Sequence, residues 1–226
     1  MLAPRGTFDH AIKVKDGATP PWGPIYPMSA YQLEELNENL HKMLAEGGMV
    51  HSKCPAGAPI LFVPTPDGRL QLWVDYRKRN KLTILNKYPL LLMTELRERV
   101  AGATIFTKLD LKDGYDLIPI KKRDEWKNTF HTRYGDCEYK VMQFGLVNAP
   151  ATFHAMMNTI LEEFPDHGVV VYLDDILIYL KTMEGQEALV NQVLARLERE
   201  DLTVSLKKSD FHVDPPQFPG YIAGKN

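Results

Sequence analysis

The sequence predicts an α+β fold in which an antiparallel sheet is backed by helices. Segments with helical spacing of apolar residues alternate along the chain with pairs of short β-type runs, and close turns join the runs of each pair. Strands joined by short turns are antiparallel, and helices interleaved with such hairpins pack against the sheet. The sequence contains no internal repeat and no low-complexity tract.

The composition is that of a soluble, folded protein without a strong charge bias. Of 226 residues, 44% are apolar, and 27 Lys and Arg stand against 29 Asp and Glu. A net charge of −2 excludes a basic nucleic-acid coat, so any contact with nucleic acid must come from local basic groups. Cys54 and Cys137 match neither a disulfide framework nor a zinc module. Without a secretory signal or a membrane span, the protein is expected to be intracellular, cytoplasmic or nuclear, and to contact no membrane.

An irregular arm is predicted at residues 1–28, where prolines and glycines interrupt any regular pattern. A helix follows, because Ser29 is a favourable N-cap and Gln32, three residues later, completes a capping box. Leucines and methionines then recur at helical spacing until Gly47-Gly48 ends the helix. The pattern indicates an amphipathic helix with one buried face.

A β-hairpin is predicted after this helix. Ile60–Val63 and Leu70–Val74 are short β-type runs, and Asp67-Gly68 between them favours a tight turn. Apolar spacing then predicts a helix from Leu91 to Val100, and alternation predicts a half-buried strand from Thr104 to Asp110. This strand ends in a carboxylate.

The second half of the chain continues the mixture of hairpins and helices. Its predicted elements are a hairpin at residues 127–142, a helix that opens at Asn148-Ala149-Pro150, strands at Val169–Leu173 and Ile176–Leu180, a helix from about Glu184 to Glu200, and a strand-like tail. The two strands after residue 168 are strongly apolar, which indicates burial. Asp174 and Asp175 separate them.

Adjacent acids between two buried strands need a physical explanation. Asp favours turns, so a plain hairpin turn is one interpretation of Asp174-Asp175. The pair offers no glycine for a tight turn, however, and a bound cation would offset the repulsion between the two charges. Mg²⁺ prefers such oxygen ligands, and Asp110 supplies a third carboxylate. Three carboxylates fit two-metal phosphoryl transfer, with ions roughly 3.5 to 4 Å apart. A metal-dependent nuclease would use the same chemistry, but no nuclease motif supports it.

Several short sequence blocks surround these acids. In groups that follow the chain they are Val74-Asp75-Tyr76-Arg77, Asn86-Lys87-Tyr88-Pro89, Phe106-Thr107-Lys108-Leu109-Asp110-Leu111, Phe144-Gly145-Leu146, Asn148-Ala149-Pro150-Ala151-Thr152-Phe153, Tyr172-Leu173-Asp174-Asp175 and Gly220-Tyr221. Their content and order resemble the reverse transcriptases of Ty3/gypsy-type LTR retrotransposons, whose Tyr-x-Asp-Asp box matches the block that ends at Asp175. The resemblance covers roughly residues 10–224.

This resemblance implies the fingers and palm of a polymerase, with an antiparallel palm sheet backed by helices and the thumb absent. Residues 29–109 would belong mainly to the fingers, and residues 110–226 mainly to the palm. Within the second range, residues from about 121 to 147 would be part of the fingers, and the last segment would form the primer grip. The implied activity is RNA-directed DNA polymerisation, a nucleotidyl transfer in which a primer 3′-hydroxyl attacks the α-phosphate of a deoxynucleoside triphosphate.

The resemblance also implies roles for individual residues. Asp110, Asp174 and Asp175 would be catalytic and, with the backbone carbonyl of Leu111, would bind two Mg²⁺ ions, which Mn²⁺ can replace. The nucleotide would contact Leu111, Lys112, Asp113, Gly114, Tyr115, Phe144 and Gly145. Primer or template would contact Arg77, Asn80, Tyr172, Gly220 and Tyr221. The ring of Tyr115 would crowd the sugar 2′ position and disfavour ribonucleotides.

The implied partners are an RNA or DNA template with its primer, deoxynucleoside triphosphates, and other polyprotein domains such as RNase H and integrase. Some positions depart from the family pattern, namely Thr65, Pro66, Gln71, Asp113, Asp116, Pro119, Gln143 and Pro219. Two of these add acids near the phosphates, and Pro119 falls in a strand, where proline removes a ladder hydrogen bond. The polymerase remains the main hypothesis. Thr65, Gln71, Asp116 and the missing thumb motivate an alternative function, a catalytically weakened or inactive remnant that binds nucleic acid or acts as a scaffold.

Overall fold

A computed structural model describes residues 6–65, 68–89, 92–112, 114–164, 167–172 and 175–213. The chain forms two compact units. The first contains the chain up to Asn86 together with Tyr115–Ala149, and the second contains Lys87–Gly114 and the chain from Pro150 onward. No helix in the described ranges is long and apolar enough to cross a membrane.

Helices and antiparallel strands occur in both units, so the predicted α+β class is confirmed. In chain order the elements are α1 (Ala30–Ala45), β1 (Met49–His51), β2 (Ile60–Pro64), β3 (Leu70–Val74), α2 (Arg77–Asn80), α3 (Met93–Val100), β4 (Ile105–Asp110), β5 (Thr129–Thr132), β6 (Gly135–Tyr139), α4 (Ala149–Ile160), β7 (Val169–Tyr172), β8 (Asp175–Leu180), α5 (Met183–Arg199) and β9 (Asp210–Val213). Strand β1 and helix α2 were not predicted from the sequence, because elements this short show no clear periodicity.

The first unit contains, within its described residues, a sheet with strand order β1-β6-β5 and the separate hairpin β2-β3. Helix α1 begins as predicted, with the Ser29 side chain accepting a hydrogen bond from the Gln32 amide and the Gln32 side chain accepting one from the Ser29 amide. It ends at Ala45, and Gly47, two residues later, has a φ of 74°, the left-handed turn that terminates many helices. The predicted capping box is therefore confirmed.

The described part of the amino-terminal arm is irregular, but some of its residues are buried in the first unit. Single β-bridges join His10 to Ile120 and Trp22 to Gly57. The side chains of His10 and Ile12 are each 2% exposed. Burial lowers the pKa of His10 from 6.5 to about 4; the positive charge of Arg79 acts in the same direction, and the negative charge of Asp124 opposes it.

The buried His10 predicts a loss of stability in acid. The unfolded chain protonates this histidine near pH 6.5 and the folded chain only near pH 4. The free energy of unfolding therefore decreases by about 3 kcal/mol as the pH falls through this range. We expect a His10→Gln variant to lack this part of the pH dependence when unfolding free energies are measured by urea titration from pH 7 to 4. The exposed His41 supplies the control, since His41→Gln should retain the wild-type slope. Equal slopes for wild type and His10→Gln would contradict the prediction.

The second unit is built on a sheet with strand order β7-β8-β4-β9 in its described part. On one face, Leu96 and Val100 of α3 pack against Phe106, Val170 and Leu177. Helix α5 lies on the opposite face and contacts β4 and β8. The alternation of side chains along the strands thus buries both faces of the sheet.

The turn after α5 returns the chain to this sheet. The Leu202 amide donates to the Leu197 carbonyl (2.9 Å) and the Asp201 amide donates to the Glu198 carbonyl (3.1 Å), which is the Schellman arrangement. Asp201 occupies its left-handed position with a φ of 57°. Glycine is the residue best suited to this conformation, so Asp201 retains backbone strain.

An Asp201→Gly variant should therefore be more stable than the wild type. Relief of the left-handed strain predicts a gain of about 0.5 to 1 kcal/mol in the free energy of unfolding, measured by chemical denaturation. The adjacent Glu200, whose φ is −98°, is the matched control. Glu200→Gly should reduce stability, and a gain of equal size at both positions would refute this explanation.

Candidate active site

Two of the predicted acids face each other across neighbouring strands. Asp110 is the last residue of β4 and Asp175 is the first of β8, and the antiparallel register pairs them directly. Residues in such a pair have Cβ atoms roughly 4.5 to 5.5 Å apart. Side chains separated by 64 intervening residues in the sequence thus converge at one end of the sheet.

The third predicted acid, Asp174, lies outside the described residues together with Leu173. Strand β7 ends at Tyr172, which pairs with Asp175 on β8. No group of three or more His, Cys, Asp or Glu side chains that could hold a metal is present among the residues the structure describes, a set that excludes Asp174. The metal-binding triad therefore remains a prediction, of which the structure shows the pairing of Asp110 with Asp175.

Two lysines offset the charge of the facing carboxylates. The Nζ of Lys108 lies 3.0 Å from Oδ2 of Asp175, and the Nζ of Lys208 lies 3.8 Å from Oδ1 of Asp110. The aspartate side chains are 15% and 21% exposed, so water screens their mutual repulsion only in part. Two partly buried carboxylates that both attract cations fit a divalent metal, which prefers such oxygen ligands.

The chain beyond β4 is fixed by a bridge to the segment after α5. Leu111 pairs with Val204, and the hydrogen bonds of this bridge run from the Lys112 amide to Thr203 and from the Ser205 amide to Asp110, each at 2.8 Å. The bridge uses neither the amide nor the carbonyl of Leu111. The predicted carbonyl ligand is thus not occupied by this pairing.

Other predicted nucleotide-binding residues come directly after Leu111 in the chain. Lys112 is exposed, and Asp113 lies outside the described residues. A Cβ atom on Gly114 would come 3.0 Å from the Phe153 ring, so this turn packs closely against α4.

The predicted nucleotide-binding aromatic residues belong to the first unit. Tyr115 is 7% exposed and contacts the 46% exposed Phe144 edge to face, with ring centroids 4.5 Å apart. The next residue, Gly145, has a φ of 88°, a conformation that favours glycine. The Asn80 side chain holds this loop, since its Nδ2 donates to the Gly145 carbonyl (2.7 Å) and its Oδ1 accepts from the Val147 amide (3.3 Å).

Arg77, a predicted template contact, is held by a neighbouring acid. Its Nε and Nη2 donate to the two carboxylate oxygens of Asp75 at 2.9 and 2.8 Å. These bonds lower the pKa of Asp75 to about 2 and raise that of Arg77. The Arg77 side chain remains 83% exposed, so its charge is oriented but accessible.

Of the remaining predicted primer or template contacts, the structure describes Tyr172, in the second unit. Tyr172 is half-buried and packs against the apolar cluster between α3 and the sheet. Gly220 and Tyr221 lie outside the described residues.

Two departures from the family pattern contact each other. The Gln143 Nε2 donates to the Asp116 Oδ1 at 2.8 Å, so the added acid has a matched amide partner. The expectation that Pro119 costs a ladder hydrogen bond was wrong. Pro119 lies in a single bridge rather than a strand, and the amides of Ile120 and Met142 donate the hydrogen bonds on either side of it, both at 2.8 Å.

The Asp116–Gln143 contact predicts energetic coupling between the two positions. In a double-mutant cycle with Asp116→Ala and Gln143→Ala, we expect a coupling free energy of about 1 kcal/mol, measured by chemical denaturation. Gln71 forms no hydrogen bond with Asp116 and is exposed on β3, so Gln71→Ala gives the control cycle. Additive effects in both cycles would show that the contact does not stabilise the fold.

The lysines and the serine that surround the acids were not predicted from the sequence. Lys108 precedes Asp110 by two residues on one strand, so the period of two already indicates a shared face. Lys208 and Ser209 have no such signal, because only the return of the chain after α5 brings them to Asp110.

Comparisons with known proteins find related sequences and folds. The family model for reverse transcriptase (RNA-dependent DNA polymerase) matches residues 63–223. The Tf2-3 and Tf2-7 transposon polyproteins of Schizosaccharomyces pombe are 39% identical to this chain over 196 residues, which cover 87% of this chain and 15% of each polyprotein. The chain therefore spans a small part of the length of these curated relatives.

Solved structures show the same fold. A foamy viral protease-reverse transcriptase in complex with an RNA/DNA hybrid matches with a TM-score of 0.81 at 24% identity, covering 93% of this chain and 28% of that chain. A form described as dRH, in complex with double-stranded DNA, matches with a TM-score of 0.85 at 24% identity, covering 97% and 38%. The arrangement of strands around Asp110 and Asp175 thus occurs within a known architecture.

Proposed function

Because this chain belongs to the reverse transcriptase (RNA-dependent DNA polymerase) family, we propose that it is the RNA-directed DNA polymerase domain of a Ty3/gypsy-type retrotransposon polyprotein. The observation that supports this activity most directly is the β4–β8 register, which pairs Asp110 with Asp175. Asp174 is adjacent in sequence. Paired acids at the end of a rigid sheet suit a reaction that depends on precise positioning of phosphate groups.

Members of this family use divalent metals. In our proposal Asp110, Asp174 and Asp175, with the Leu111 carbonyl, hold two Mg²⁺ ions, for which Mn²⁺ can substitute. The chemistry that these ions would supply when bound is activation of the primer 3′-hydroxyl and stabilisation of the charge on the departing pyrophosphate. The protein's part is to fix the carboxylates in place. Lys108 contributes by neutralising part of their charge through its 3.0 Å contact with Asp175.

The nucleotide is proposed to contact residues 111–115 and the loop at Phe144 and Gly145. Tyr115 is held by its edge-to-face contact with Phe144, and a fixed ring can exclude a 2′-hydroxyl where a mobile one cannot. Asn80 holds the backbone of the loop at Gly145. Deoxynucleoside triphosphates are the proposed substrates.

An RNA or DNA template with its primer is the proposed macromolecular partner. Arg77 supports this, since Asp75 orients its exposed guanidinium, and an exposed, oriented cation suits phosphate contacts that carry no sequence information. We assign Asn80, Tyr172, Gly220 and Tyr221 to the same partner. The related polyproteins are much longer than this chain, so the domain is proposed to act beside RNase H and integrase domains in the cytoplasm or nucleus.

Primer extension on an RNA template tests the proposal. With deoxynucleoside triphosphates and Mg²⁺ or Mn²⁺, we expect the chain to extend a DNA primer. Asp110→Asn, Asp174→Asn and Asp175→Asn should each lower the rate on the order of a hundredfold or more, because each removes a charged metal ligand. Asp16 is exposed in the first unit, and Asp16→Asn should retain wild-type activity.

Two outcomes would contradict this function. If the wild-type protein extends no primer with either metal, the proposed polymerase activity is wrong. If the Asn variants are as active as the wild type, the proposed site is wrong. If extension is absent while template–primer binding persists with a steep salt dependence that the Asn variants share, the chain is a nucleic-acid-binding remnant.

A further inference from the structure

The main chain of Asp110 is enclosed by a ring of hydrogen bonds from the turn between α5 and β9. The Asp110 amide donates to the Ser209 Oγ at 3.1 Å, and the Asp110 carbonyl accepts from the Ser205 amide at 2.8 Å. The Ser209 hydroxyl closes the ring by donating to the Ser205 carbonyl at 2.8 Å. One hydroxyl thus acts as donor and acceptor at once.

This ring replaces the β-ladder on one side of Asp110. Regular pairing between β4 and β9 ends at Lys108 and Asp210, after a bulge opposite Thr107. His212 takes a left-handed φ of 51° in this bulge. On the β9 side, the amide of Asp110 is therefore bonded to a side chain rather than to a strand.

We propose that Ser209 is a positioning residue for the metal site, an inference that rests on the proposed function of Asp110 as a metal ligand. The orientation of a ligating side chain depends on the backbone from which it extends, and groups that orient ligands strongly affect metal affinity. The Asp110 backbone lies at the end of a strand, where pairing is weakest. The Ser209 hydroxyl fixes it against β9.

The turn contains its own matched control. Ser205 takes part in the ring through its backbone alone, and its side chain forms no hydrogen bond in the part of the chain that the structure describes. Ser205→Ala and Ser209→Ala therefore make the same chemical change on one turn, four residues apart. The Ser209→Thr variant keeps the hydroxyl, and Ser209→Cys keeps the size but bonds weakly.

Amide hydrogen exchange measures the ring directly in the metal-free chain of 226 residues. We expect Ser209→Ala to speed exchange of the Asp110 amide about three- to tenfold, the effect of losing one hydrogen bond. Ser205→Ala and Ser209→Thr should exchange as the wild type does, and Ser209→Cys should be intermediate. An unchanged rate in Ser209→Ala would overturn the proposal; if that variant does not fold, an unchanged rate in Ser209→Cys would do so.

Mn²⁺ titration by calorimetry, without nucleic acid, then measures the consequence. With Asp110→Asn as the reference for a damaged site, Ser209→Ala should weaken Mn²⁺ binding about three- to tenfold. Ser209→Thr should restore it, and Ser205→Ala should leave it unchanged. Wild-type affinity in Ser209→Ala would overturn the positioning role.

The two proposals fail in different ways. If wild type shows no Asp110-dependent Mn²⁺ binding, the metal site of the proposed function fails, and with it the role of Ser209 toward that site. If wild type binds Mn²⁺ through Asp110 while Ser209→Ala matches it, only the inference about Ser209 fails.

Discussion

The register between β4 and β8 is the constraint on which the candidate site depends. Leu109 faces Ile176 and Thr107 faces Ile178 in this pairing, and all four side chains are at most 1% exposed. A slip by one residue would turn the buried set of a strand toward the opposite face, so burial on the side of α5 determines the register. This pairing of the buried apolar residues brings Asp110 and Asp175 opposite each other.

Folding energy thereby holds together two charges that repel each other. The apolar strands supply the favourable burial, and Lys108 and Lys208 reduce the electrostatic cost at the acidic end of the sheet. Carboxylates with specific hydrogen-bond partners also occur in the first unit, where Asp75 orients Arg77 and Gln143 donates a hydrogen bond to Asp116. In both units, these charged side chains are held by specific partners. Among the departures from the family pattern, Asp116 and Gln143 form a hydrogen bond with each other, and the backbone hydrogen bonds on either side of Pro119 are intact.

Much of the fold was predictable because its signals are local. The capping box of α1, the hairpins and the long periodicity of α5 all follow from residues within a few positions of one another. Strand β1 was not predictable, since three residues gain their structure only by pairing with β6. The strand expected at Pro119 is a single bridge for a similar reason: its surroundings, rather than its own sequence, determine its pairing.

By itself, the sequence determined the mixture of helices and hairpins, the order of the motif blocks, and the identity of the acids proposed for metal binding. Tertiary structure alone decided which of these residues meet. The order β7-β8-β4-β9 places Asp175 on one side of Asp110 and the Ser209 turn on the other. The physical reason is that hydrogen bonding and periodicity act between near neighbours in the chain, whereas contacts between distant segments arise only when the apolar faces of a whole sheet pack together.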